Sequence, residues 1–189
     1  MRTIVIAALA AVCATSPAAA QAAYTPADVK FMQGMIHHHA QAVTMAQWAP
    51  THGASASIRA LAERIDVGQR DEIATMERWL ADHHAAAPEM HAMDEMPGMK
   101  MPKTSEMPLM PGMLTPAQMK QLDAAHGAEF DRLFLTFMIQ HHQGALQMVK
   151  ELYASPGAGQ ESQIFRFASD VVADQTAEIE RMQRMLAAK

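Results

Sequence analysis

A single cysteine, Cys13, is all the thiol this chain carries, and it lies in an N-terminal stretch that reads as a cleavable leader. The mature chain is therefore expected to have neither a disulfide framework nor a cysteine metal site. A blue-copper centre, whose trigonal ligand set needs a Cys thiolate, is excluded with them. No Glu-x-x-His occurs anywhere in the sequence, which removes the pattern on which four-helix di-iron carboxylate enzymes depend. Non-enzymatic chemistry is the expectation. Long apolar runs are missing as well: the longest, from Ile4 to Val12, is too short to cross a bilayer, which takes roughly 20 residues. Basic residues are outnumbered, and loss of Arg2 with the leader takes the formal charge from 15 − 20 = −5 to 14 − 20 = −6. A mildly acidic surface argues against nucleic acid, whose binding calls for clustered Lys and Arg.

The leader itself has a basic start at Arg2, a short apolar core and small residues ending in Ala18-Ala19-Ala20-Gln21-Ala22-Ala23. That is the grammar of a secretory signal peptide over residues 1–22, cleaved after about Ala20 or Ala22. Val12 stands before Cys13 where lipidation would want a small residue. A soluble periplasmic location with no membrane span after cleavage is expected.

What the chain has in excess is methionine, 18 residues, and histidine, 10, against 2 Trp, 2 Tyr and 6 Phe. Ordinary cores use Met sparingly, because its flexible side chain specifies packing poorly. The excess is patterned by a tandem duplication. Asp28, Phe31, Met35, Ile36, His38, His39, Ala42 and Met45 recur 131 − 28 = 103 residues later as Asp131, Phe134, Met138, Ile139, His141, His142, Ala145 and Met148. Gln69, Glu72, Ile73, Met76, Arg78 and Leu80 recur 175 − 69 = 106 residues later as Gln175, Glu178, Ile179, Met182, Arg184 and Leu186.

Both blocks have helical spacing. Thr25-Pro26 and Thr115-Pro116 read as N-caps followed by Pro at the first helical position. Pro50 and Pro156-Gly157 read as stops. The expected helices cover about 26–49, 57–83, 116–153 and 161–187, with Gly127 a place where the third could break. Two such hairpins, residues 23–84 and 115–189, make an all-α, ferritin-like four-helix bundle the expected fold, the hairpins packing as one body. Residues 85–114 between them form a Met/Pro-rich linker, poor in branched aliphatics and expected to be mobile when metal-free.

On the first helix, Met35, His38, His39 and Met45 fall on one side, with Ala42 leaving room between them. Met138, His141, His142 and Met148 repeat the arrangement. Imidazole and thioether groups can thus face the same space, and these eight residues are the candidate metal ligands. Glu72, Met76, Glu178 and Met182 are candidates to support them, each Glu holding a histidine in one tautomer or paired with it for structural reasons alone. Which His of each pair ligates is left open. The linker adds Met90, Met93, Met96, Met99, Met101, Met107, Met110 and Met113. Thioethers are neutral soft donors, suited to copper(I) or silver(I) and poorly matched to Zn, Mg or Ca. Imidazole must be neutral to bind a metal, so its ordinary pKa of about 6.5 predicts weakening of a His site in acid, whereas a thioether has no proton to lose.

The signature M-I-x-H-H-x-x-A-x-x-M followed by Q-x-x-E-I-x-x-M, present twice, resembles the family of domain of unknown function 305, which includes CopM-like periplasmic copper proteins. The resemblance covers about residues 24–80 and 111–187. It implies a ferritin-like bundle, copper or silver bound through His and Met, and a role in metal tolerance, with other periplasmic copper-handling proteins as candidate partners. This chain departs from internal symmetry at His37, where the second half has Gln140, and at Trp79, where it has Met185. The alternative function is a structural or partner-binding bundle, its methionines an adaptable contact surface.

Overall fold

The structure, a computed structural model, describes residues 23–88 and 109–188. The expected signal peptide and linker residues Met90, Met93, Met96, Met99, Met101 and Met107 lie outside the described residues, as does most of the segment expected to be mobile. Among the described residues there are five helices and no strand: α1 (Pro26–Trp48), α2 (Ala56–Asp82), α3 (Pro116–Ala124), α4 (Gly127–Ala154) and α5 (Ser162–Ala187). The fold is an all-α bundle of four long helices with α3 as a short addition.

Capping chemistry sets the starts. Thr25 accepts from the backbone N–H of Asp28 while the Asp28 carboxylate accepts from the Thr25 N–H, with Pro26 opening the helix. Thr115 and Gln118 repeat this capping box at α3. Each box satisfies backbone donors that a helix start otherwise leaves orphaned. The third expected helix is two helices. Ala125 and His126 are extended, Gly127 takes a left-handed φ of +58°, and its N–H donates to the His52 carbonyl at 2.8 Å. The break at Gly127 thus exchanges one turn of helix for a tie to the α1–α2 loop.

The halves interlock through one residue used twice. Asp28 of α1 accepts from the Gly159 N–H in the α4–α5 loop at 2.7 Å. Its duplicate, Asp131 of α4, accepts from the Ser55 N–H in the α1–α2 loop at 3.1 Å. The start of each helix therefore meets the end of the other, and α1 and α4 run antiparallel across a pseudo-twofold axis.

Two buried apolar clusters fill the bundle, one at each end. The first takes Ala42 to Ala46 of α1 and Ala49 just beyond it, Ile58 to Ile65 of α2, Phe130 to Met138 of α4, and Ile179 and Met182 of α5. The second takes Phe31 to Ile36 of α1, Met76 to Leu80 of α2, Ala145 to Leu152 of α4, and Ile164 to Val171 of α5. Every long helix changes cluster at its middle. Those middles carry His38 and His39, Gln69 and Glu72, His141 and His142, Gln175 and Glu178. A polar layer therefore cuts the core in two.

Candidate metal centre

Helical spacing and the antiparallel crossing bring the four histidines together. His38, His39, His141 and His142 are fully buried. The rings of His38 and His141, equivalent residues of the two halves, meet across the pseudo-dyad with centroids 3.8 Å apart and planes at 40°. Each is 6.3 Å from its neighbour, His39 or His142.

The outer histidines face carboxylates on the flanking helices. His142 Nε2 and Glu178 Oε2 form a hydrogen bond of 2.7 Å. Glu178 in turn lies 3.4 Å from Arg64 of α2. His39 Nε2 lies 2.8 Å from Glu72 Oε2, yet it lacks the direction of a hydrogen bond. The second half is therefore the better aligned. His38 Nε2 is 3.0 Å from the Pro111 carbonyl. A carbonyl or carboxylate can only accept, so His38 and His142 carry their proton on Nε2, which leaves the Nδ1 lone pair bare.

Those lone pairs have no partner. Among the described residues, every buried side-chain nitrogen or oxygen without a hydrogen bond belongs to this layer: Nδ1 of all four histidines, Nε2 of His39 and His141, both amide atoms of Gln69, and Oε1 of Gln175. Each such atom costs about 1–3 kcal/mol when left unmet. Burial, then the charges of His39 and His142, lowers the pKa of His38 to about 3 against the opposing Pro111 bond. Burial first and the neighbouring imidazoles second hold His141 well below its ordinary value too. These two rings are neutral, so each keeps one nitrogen lone pair for a cation. For His38 and His141, burial thus moves competition from protons to lower pH than an ordinary imidazole would show.

Buried methionines stand in both apolar clusters that flank the layer. Met35, Met76 and Met148 belong to one apolar cluster, and Met45, Met138 and Met182 to the other. All six are buried. Each trio draws on both halves of the chain, so Met35 and Met45, one stripe in sequence, serve opposite ends. Met76 and Met182 are as fully buried as the other four. Met110 adds to the first trio: its Sδ and the Met148 Cε would each lie 3.4 Å from a Cβ placed on Gly34. Met113 is half-buried and His37 is exposed.

One side of the layer is covered by a strap, residues 110–114, which the sequence reading placed in the linker. Gln41 grips Leu114 at both its N–H and its carbonyl, at 2.7 and 3.1 Å, and Gln140 donates to the Gly112 carbonyl at 3.3 Å. The strap crosses α4 at Gly144, where any Cβ would fall on the Pro111 carbonyl group. Neutral imidazole and thioether donors fit a soft cation. Among the described residues, no three His, Cys, Asp or Glu side chains are already drawn together as a ligand set.

Comparison with known proteins places the chain. A DUF305 crystal structure from Deinococcus radiodurans is 28% identical, with TM-score 0.70 over 88% of this chain and 99% of that one. A DUF305 protein from Streptomyces coelicolor, described as secreted, is 28% identical, with TM-score 0.67 over 86% of this chain and 93% of that one. CopM in its Cu(II)-bound form is 26% identical, with TM-score 0.65 over 85% of this chain and 96% of that one. No helix among the described residues is long and apolar enough to cross a membrane. No curated protein matches the chain. Residues 28–186 match the family Domain of unknown function (DUF305), and the chain belongs to that family.

Proposed function

We propose that this is a periplasmic protein that binds copper(I) and silver(I) for sequestration, tolerance or delivery, without catalysing a reaction. The observation that carries the reading is the polar layer, in which all the unpartnered buried polar atoms of the described residues gather between two sets of methionines. Buried polar groups in native proteins are nearly always satisfied, and a cluster of exceptions calls for a missing partner. Neutral nitrogen and thioether sulfur select that partner as a soft metal ion. His39 and His142 would ligate through Nδ1 with Glu72 and Glu178 behind them, the carboxylate–histidine–metal arrangement that orients a ring and raises its basicity. The related CopM is known in a Cu(II)-bound form, which supports metal handling in this chain.

Anaerobic competition with a chromophoric copper(I) chelator tests the reading. More than one copper(I) should bind per chain, because candidate donors occur in the histidine layer, in both apolar clusters and in the linker. Replacing His38, His39, His141 and His142 with Ala should abolish the sites of the bundle and spare those of the linker. Affinity no greater than that of a Met-poor helical protein would favour the structural bundle.

A further inference from the structure

The two faces of the polar layer differ. On the α1/α4 side the strap closes it, with backbone against backbone at Gly112 and Gly144. On the α2/α5 side the layer reaches solvent through carboxylates. His39 and His142 are fully buried, whereas Glu72 and Glu178, which touch them, keep 20% and 16% of their side chains exposed. Gln69 and Gln175, one turn before those carboxylates, are 3% exposed and carry unpartnered amide atoms. Outside them stands Asp174, exposed on α5. Its pKa is raised, by burial first and then by Glu72, Glu178 and Asp170, with Arg64 opposing, so these groups share one field. Gly68, the counterpart of Asp174 in the first half (174 − 106 = 68), is exposed, and a side chain added there would meet nothing within 4 Å.

We infer that metal cations reach the histidine layer between α2 and α5, drawn in by Asp174, Glu72 and Glu178 and passing between these carboxylates to the imidazole lone pairs beyond them. The inference rests on the metal-binding reading and adds a direction to it. A mouth lined by one sign of charge concentrates the opposite ion and speeds its capture. Carboxylates that touch both water and imidazole let a cation exchange its hydration shell in steps. Their oxygen donors are too hard to hold a soft ion against nitrogen and sulfur, so they carry it without trapping it. Arg64, which pairs with Glu178, opposes that field and tempers it.

The test is stopped-flow uptake of silver(I) from silver nitrate by the full mature chain, with sodium nitrate setting ionic strength and equilibrium affinity measured in parallel. Trp79 fluorescence is the readout, since that indole is buried in the cluster that holds Met35, Met76 and Met148. Gly68→Lys and Asp174→Lys should slow uptake on the order of tenfold at low salt, the lower end of electrostatic steering. Gly68→Asp should speed it, and high salt should erase both differences. Gly68→Trp, a neutral plug, should slow uptake at any salt with affinity unchanged. Ala117→Lys, on α3, should have no effect. Equal rates in all variants with normal affinity, or slowing by Ala117→Lys as great as by Gly68→Lys, would overturn the route alone. Absence of silver binding by the unaltered protein would overturn the route and the metal-binding reading together.

Discussion

His38 and His141 hold their protons far more weakly than free imidazole because the fold denies water to the charged form. Folding therefore depends on pH through them. In the unfolded chain each titrates near 6.5; in the folded chain His38 titrates near 3. Between those values the unfolded state binds protons that the folded state refuses, so the stability present above 6.5 is lost progressively as pH falls towards 3. The melting temperature of the metal-free protein should drop between pH 7.5 and pH 5, and His38→Gln with His141→Gln should flatten that slope. An equally steep slope in the double variant would assign the acid sensitivity to other groups. The sequence named both residues and their likeness to ligands. It could not show their ionisation, because burial and ring-to-ring contact arise only when two helices from different halves cross.

At the scale of elements, spacing within a helix was legible and partnership between helices was not. Thr25 and Thr115 announce α1 and α3 through local capping chemistry, and Gly127 marks the α3–α4 break through a conformation that favours glycine. The stripe Met35–His38–His39–Met45 suggested one ligand set per half. Its two methionines, about 15 Å apart along α1 at the helical rise, lie in different apolar clusters. The strap was hidden for a similar reason: Pro-Gly beside a Met-rich run reads as linker, and the residue that receives it, Gly144, is remote in sequence. Gly144→Ala should displace the strap and cost about 1–3 kcal/mol by overpacking, lowering the melting temperature and speeding amide exchange at Met113 and Leu114. Gly34→Ala supplies the contrast, since its new methyl would meet only the movable ends of Met110 and Met148. It should be neutral or gain up to about 1 kcal/mol from helix propensity.

For the whole molecule, duplication supplied the architecture and its imperfections supply the asymmetry. Equivalent residues meet at the dyad, yet Pro111 bonds to His38 and not to His141, and Glu178 engages its histidine in a hydrogen bond where Glu72 does not. The paired latches, Asp28 to Gly159 and Asp131 to Ser55, carry a thermodynamic meaning. A contact made twice, each half holding the other's loop, is the signature of a self-complementary dimer interface. The protein is in that sense a dimer that carries its own partner, joined to it covalently through residues 89–108, and such a connection sets the effective concentration at which a partner is presented. Stability should then respond to linker length as ring closure does, by only about 0.6 kcal/mol for each doubling. Doubling that stretch with Gly and Ser should lower stability by about this amount in urea melts. A loss of several kcal/mol would mean that the stretch acts as part of the folded body and not as a tether.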